Sequence, residues 1–303
     1  MKKIKLLSIL ALSTVVLGAC SVFSNQSSEA SSDNKEKTEQ VEKKDEAAEV
    51  KEKVTKDAEI LLDSMLTSDS ARFKKIYGET YEKWTDAIIA VQTSEKIKED
   101  GLTPASDYSV QWVKEFQIET PEETISNFLK VRRNLFQKIV NYNIKDVVID
   151  DSGNTATVTF TSKKLHSLGL ASSVRTVLTE LIGGIDNLGK YNQAGSSETV
   201  KRYQNLLSYW IFRHLYKHDF AIYSNVDANL SHVPFTKGEF DTEIKLTKDK
   251  DGNWVISQDD YKTLLSELVD RTEGYDTIDR SGLPNKKVTD SSETSTDKDK
   301  SKI

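Results

Sequence analysis

Residues 144–161 read IKDVVIDDSGNTATVTFT, and this stretch indicates the class of the fold. Isoleucine and valine are frequent before the polar segment 150–154, and beyond it Ala156, Val158 and Phe160 alternate with threonines. A period of two in β-branched residues around a polar turn predicts a β-hairpin. One face of this hairpin is apolar and the other is rich in threonine, which favours an antiparallel sheet with one side in water.

A second hairpin is predicted toward the C-terminal end. The stretch Phe240–Leu246 is expected to pair with Asn253–Ile256 across the polar turn Asp249–Gly252. Another strand is predicted over Phe220–Val226, where aromatic and β-branched residues are frequent.

Helical periodicity dominates the rest of the chain. The clearest helix start is Thr120-Pro121-Glu122-Glu123, with threonine at the N-cap, proline at the first helical position and Glu123 in the capping-box position. Further helices are predicted around 60–66, 73–77 and 81–91, and over 169–188, 198–218 and 261–269. Runs of helices separated by hairpins favour an α+β fold, an antiparallel sheet packed with several helices, over repeated βαβ units.

The composition disfavours several classes of protein. Of the 303 residues 37% are apolar and 30% are charged, and the mean hydropathy is -0.53, which disfavours an integral membrane protein. A single cysteine excludes a disulfide scaffold, and 13 glycines disfavour a collagen-like chain.

The N-terminus has the pattern of an export signal. Lys2, Lys3 and Lys5 precede an uncharged, mostly apolar run over 6–17, which is too short for a membrane-spanning helix of roughly 20 residues. The run ends in Leu17-Gly18-Ala19-Cys20. An ordinary signal peptide with an incidental cysteine, or an uncleaved anchor, would have a similar apolar run.

This ending resembles the lipobox of bacterial lipoproteins. The resemblance implies that Leu17, Gly18 and Ala19 are recognised by signal peptidase II and that Cys20 carries diacylglycerol. It also implies attachment to the outer face of the cell membrane of a Gram-positive bacterium. Loss of the signal lysines leaves 39 basic against 48 acidic side chains, a formal net charge of -9, which argues against nucleic acid as a partner.

Four segments are predicted. Residues 1–19 are the signal peptide, and residues 20–52 are a lipidated, disordered tether rich in Ser, Glu and Lys. Residues 53–271 form the α+β domain, and residues 272–303 form a disordered tail that ends in a polar run.

The stretch Lys250–Ile256, KDGNWVI, followed by Ser257-Gln258-Asp259, resembles the last strand pair of cystatin-like and NTF2-like domains. These occur in uncharacterised Firmicute lipoproteins. The resemblance implies that helices pack in the curve of a bent sheet, with a pocket on its concave side. Trp210, Tyr216 and Phe220 are candidate pocket-lining residues, with core packing as the alternative.

No residue pattern indicates catalysis. His214 and His218 stand four apart, as two metal ligands on one helix can, but Leu215 occupies the position where zincins have glutamate. The chain contains no Gly-x-Ser-x-Gly elbow and no second cysteine. We therefore expect no catalytic residue, no metal and no cofactor.

The expected function is that of a non-catalytic binding or envelope-interaction module. Its ligand, a protein or a small molecule, is not specified by the sequence. The alternatives are an exported enzyme or foldase, whose pocket would hold titratable groups with perturbed pKa values, and a transporter's solute-binding protein. The released fragment Ala11–Ala19 also resembles the short apolar pheromones of enterococci.

Overall fold

The computed structural model describes residues 33–103, 119–217, 228–272 and 274–283. The lipobox residues Leu17, Gly18, Ala19 and Cys20 lie outside these ranges, as do Phe220, His218 and the strand predicted over 220–226. Nine α-helices lie in the described ranges: α1 (Asp33–Leu62), α2 (Phe73–Tyr77), α3 (Tyr81–Glu99), α4 (Pro121–Phe136), α5 (Ser167–Leu181), α6 (Ile185–Ala194), α7 (Glu198–Lys217), α8 (Ala228–Ser231) and α9 (Gln258–Glu267).

Two sheets complete the described architecture. The strands are β1 (Tyr142–Ile149), β2 (Thr155–Ser162), β3 (Leu165–His166), β4 (Phe240–Lys248), β5 (Trp254–Val255) and β6 (Val269–Asp270). The larger sheet is antiparallel with the order β1-β2-β4-β5, and β3 pairs with β6 in parallel. The predicted α+β class, an antiparallel sheet packed with helices, is confirmed.

The first hairpin forms as predicted. Strand β1 pairs with β2, with Val147 opposite Val158 and a bulge between Ile144 and Asp146. Ala156, Val158 and Phe160 are buried. The intervening threonines 155, 157 and 159 are partly exposed, which is the alternation that a half-solvated sheet requires.

The second hairpin forms across the predicted turn, but its paired stretch is shorter than predicted and lies beyond Leu246. Strand β5 pairs only with the end of β4, where Thr247 faces Val255 and Lys248 faces Trp254. On the other edge of β4, strand β2 pairs along most of its length, with Leu246 opposite Ala156. Because β2 and β5 lie on opposite edges of β4, the two pairings do not compete, and the two-residue length of β5 limits the second hairpin to the end of β4 beside the turn.

The folded chain extends beyond both predicted limits. Helix α1 covers residues 33–52, which the sequence analysis assigned to a disordered tether. The chain between residues 33 and 77 contains no glycine or proline and is rich in Glu, Lys and Ala, which are strong helix formers. Val50 packs against the core, so the body begins before residue 53.

Helix α4 begins at the predicted capping box. The Glu123 amide donates to Thr120 Oγ1 at 3.2 Å, and the Thr120 amide donates to Glu123 Oε2 at 3.0 Å. The helix then packs against α3 and α7. The capping box therefore determines where α4 begins.

The predicted helix over 169–188 is broken. Gly183 and Gly184 have φ values of 85° and 108°, a conformation that favours glycine, and they separate α5 from α6. No single described helix is long and apolar enough to cross a membrane. The bent pair α5–α6, with a 103° bend, meets the criterion by length and composition alone.

The chain remains packed after residue 271, where a disordered tail was predicted. Lys163 forms an ion pair with Asp279. The Asp279 amide donates to Phe235 O at 2.8 Å, and the Lys237 amide donates to Thr277 O at 2.8 Å. These contacts hold residues 274–283 against the body.

Asp279→Asn is expected to loosen this C-terminal segment by about 1 kcal/mol, because it removes a partly buried, charge-assisted hydrogen bond. The hydrogen bond from Lys163 lowers the pKa of Asp279 from 3.8 to about 2. The stabilisation is therefore present above about pH 4 and is lost as the pH falls through about 2. Hydrogen exchange of the amides in 274–283 measures the effect. Exchange equal to that of the exposed control Asp276→Asn would contradict it.

Candidate functional site

A cavity of about 500 Å³, largely open to solvent, lies between α4, α5 and α7. Its wall is mainly apolar, and the volume lies within the range of ligand pockets, about 300–1,000 Å³. The main apolar residues of the wall are Phe128 on α4, Leu170, Val174 and Leu178 on α5, and Tyr209 and Phe212 on α7. We call this space the helical cavity.

Aromatic packing shapes one wall of the helical cavity. The ring of Phe128 lies 4.6 Å from the ring of Tyr209 and 4.9 Å from that of Phe212, measured between centroids. Tyr209 and Phe212 are three apart on α7, so both project from one side of that helix. The contacts keep α4 beside α7, while the aliphatic residues of α5 form the opposite wall.

A second, smaller cavity of about 210 Å³ lies between α3, α4 and α9. Its wall contains Ile88, Leu129, Phe136 and Tyr261. The Tyr261 hydroxyl is 2.7 Å from that of Tyr81, and burial raises the pKa of both phenols, so both stay neutral at physiological pH. We call this space the α9 cavity.

Two arginines line both cavities. Arg132 on α4 is half-buried, and Arg271, directly after β6, is exposed. The guanidinium of Arg132 lies 5.9 Å from the centre of the Phe136 ring. Burial and, secondly, the positive charge of Arg271 lower the pKa of Arg132. A third arginine, Arg175 on α5, lines the helical cavity alone.

The neighbouring Arg133 has a different environment. Its Nη1 donates to Asp86 Oδ1 at 2.8 Å and to Thr85 Oγ1 at 2.8 Å. Within the described residues Arg132 and Arg271 have no carboxylate partner, and neither cavity is lined by Asp, Glu, His or Cys. One of two adjacent arginines is therefore neutralised by the protein and the other is not.

The predicted pocket-lining residues lie elsewhere. Trp210 and Tyr216 are 2% and 4% exposed, lie in the hydrophobic core and are not part of either cavity wall. Their neighbours Tyr209 and Phe212 line the helical cavity instead. This cavity is lined by helices and by the end of β6, whereas the resemblance implied a pocket on the concave side of the sheet. The third predicted residue, Phe220, lies outside the described ranges.

Arg132, Arg271 and the wall of α5 were not predicted from the sequence. An arginine on an amphipathic helix has the same pattern whether it faces solvent or a cavity. The apolar residues Leu170, Val174 and Leu178 were predictable as one helix face, but not as a face that leaves space beside it.

His214 lies on α7 with its ring 4.3 Å from the Trp210 ring. The described residues contain no group of three or more His, Cys, Asp or Glu side chains arranged to hold a metal ion.

No family model matches the sequence, and no curated protein does. A search of solved structures finds the crystal structure of a "putative lipoprotein (ycdA)" from Bacillus subtilis, with 16% identity and a TM-score of 0.40. The match covers 74% of this chain and 58% of that one, so it spans less than two thirds of the neighbour. A similarity at this level supports no inference about the function of this chain.

Proposed function

We propose that this chain is a lipid-anchored, extracytoplasmic lipoprotein whose body is a non-catalytic binding module for an elongated apolar ligand. The lipobox Leu17–Cys20 supports the anchor. The observation that carries the binding function is the helical cavity, an apolar space between three helices. Burial of apolar surface at about 25 cal/mol per Å² would supply the affinity.

The lining supports binding rather than catalysis. General acid–base or nucleophilic chemistry needs a carboxylate, imidazole, thiol, free amine, ionisable phenol or activated hydroxyl at the reacting atom. The cavity walls supply arginines, one ion-paired lysine and apolar side chains, with neutral hydroxyl and amide groups between them. The kinship with cystatin-like and NTF2-like domains is part of the proposal, supported by the antiparallel sheet packed with helices.

The binding function is tested with the uncharged fluorescent probe N-phenyl-1-naphthylamine. We expect the mature chain, residues 20–303 with Cys20→Ser, to bind it saturably at one site per molecule. Val174→Trp should abolish this signal, because the indole would fill the space beside α5. A change in probe fluorescence that rises without saturation would contradict the proposal.

The matched control is Thr176→Trp. Thr176 is also β-branched, lies two residues further along α5 and is exposed, and it is not part of the cavity walls. This variant should bind the probe as the parent does. Equal loss of the probe in both tryptophan variants, with circular dichroism unchanged, would show that the loss does not depend on filling the helical cavity and would contradict this site.

A further inference from the structure

Arg132 lies where the two cavities meet. It is half-buried, lines both walls and has no carboxylate partner within the described ranges. Arg271, which lines the same two walls, repels it. A like-charge pair beside apolar surface is unfavourable unless an anion completes it.

The protein neutralises other half-buried cations nearby. Arg133, the next residue, is paired with Asp86, and Arg213 on α7 is paired with Glu119. Lys262, in the wall of the α9 cavity, lies 3.6 Å from Glu95 and 3.3 Å from Asp259. Arg132 therefore departs from the local pattern, and its five N–H donors are available to a ligand.

The chemistry of the two walls favours an anionic ligand with an apolar chain. A planar guanidinium matches a carboxylate with two parallel hydrogen bonds. The helical cavity beside it offers aliphatic and aromatic side chains, with the hydroxyls of Ser167, Ser208 and Tyr209 as its uncharged polar groups. A peptide would bring backbone N–H and C=O groups that such a wall leaves unpaired, whereas an alkyl chain needs no partner.

We infer that the ligand is a fatty acid, whose carboxylate binds Arg132 and Arg271 while its single alkyl chain occupies the helical cavity. This inference rests on the proposed function, because it names the class of the apolar ligand. Arg175, at the α5 wall, adds positive charge along the same cavity.

A structural role for Arg132 predicts different results. Its guanidinium lies near the Phe136 ring, and the residue forms part of both cavity walls. If packing were its role, Arg132→Met would lower the thermal midpoint of the ligand-free protein and weaken charged and uncharged ligands alike. If anion binding is its role, Arg132→Met keeps the stem, removes an unneutralised charge and leaves that midpoint no lower.

The experiment compares decanoate with 1-decanol, which share a chain length and differ in charge. Each displaces N-phenyl-1-naphthylamine from the mature chain with Cys20→Ser at pH 8. We expect decanoate to bind about tenfold or more tightly than 1-decanol, since charge-assisted hydrogen bonds are among the strong ones. Arg132→Met should reduce this ratio to below about threefold without changing the affinity for 1-decanol, and Arg271→Met should reduce it less.

Lys75→Met is the control, because it removes one positive charge from an exposed position outside both cavities. The ratio of its affinity for decanoate to its affinity for 1-decanol should equal that of the parent. Equal binding of both ligands by the parent, or a ratio that survives Arg132→Met, overturns the fatty-acid inference and leaves the proposed function standing. If the probe does not bind saturably, both fail.

Discussion

Trp254→Ala is expected to lower the free energy of unfolding by about 3–5 kcal/mol, because it deletes a large buried aromatic side chain and leaves a cavity. Trp254 is 0% exposed and lies in the short strand β5. Its backbone N–H donates to Asp57 Oδ2 on α1 at 2.9 Å, and Asp57 is itself 5% exposed. The strand is therefore attached to α1 through its backbone, and its indole lies in the hydrophobic core.

The loss is large relative to the total stability of a domain, about 5–15 kcal/mol. Urea denaturation followed by far-ultraviolet circular dichroism measures it without relying on tryptophan emission. Val255→Ala is the control in the same strand, where the side chain is only partly buried. If Trp254→Ala cost no more than this control, β5 would not be anchored by its indole.

Trp254→Phe separates the packing of the aromatic ring from the cost of its buried, unpaired N–H group. The indole N–H of Trp254 is buried without a hydrogen-bond partner in the described part of the chain. Phenylalanine removes this unpaired donor and keeps most of the apolar volume, so the cost should be well below that of alanine. A similar cost for both variants would show that the ring's volume is not what stabilises β5.

The fold was predictable where local chemistry determines structure. The capping box at Thr120 predicted the start of helix α4, and the alternation after Asn154 predicted the buried face of strand β2. The structure confirms both. Trp254, in the predicted second hairpin, and Tyr261, at the start of the predicted last helix, are both buried. Helix caps and apolar periodicity depend on residues that are close together in the sequence. Both can therefore be recognised from the sequence alone.

Other features depend on contacts between distant segments. The alternation of apolar residues in β4 indicates which face of the strand is buried. It does not indicate that β2 pairs with β4 along most of its length. The polarity of residues 33–52 predicts that they bury little apolar surface, and their helix propensity is a separate property.

The helical cavity could not be predicted because space between helices depends on how three separate faces meet. Arg132 and Arg133 are adjacent in sequence and identical in type, and only the structure distinguishes them. Arg133 lines the α9 cavity and is paired with Asp86 on α3, whereas Arg132 lines both cavities and has no carboxylate partner among the described residues. A turn of 100° per residue along α4 is enough to separate a paired cation from an unpaired one.

Cys20→Ser is expected to abolish lipid attachment completely. The chain has one thiol, so a thioether to diacylglycerol can form only at Cys20. Each buried CH₂ contributes about 0.8 kcal/mol, and a single acyl chain holds a protein only marginally, whereas two hold it stably. Diacylglycerol supplies two chains at one position, which would make every later residue dispensable for anchoring.

The measurement is incorporation of an alkyne-labelled fatty acid by growing cells, followed by electrophoresis and mass spectrometry. The parent should carry the label and begin at Cys20, while Cys20→Ser should carry none and retain residues 1–19, because the lipobox peptidase acts after lipid is attached. Ser21→Ala, which leaves the thiol in place, should behave as the parent. Label retained by Cys20→Ser, or an unmodified thiol at Cys20 in the parent, would place the anchor elsewhere. The charge balance of residues 20–303, 39 basic against 48 acidic side chains, offers no electrostatic substitute on an anionic membrane.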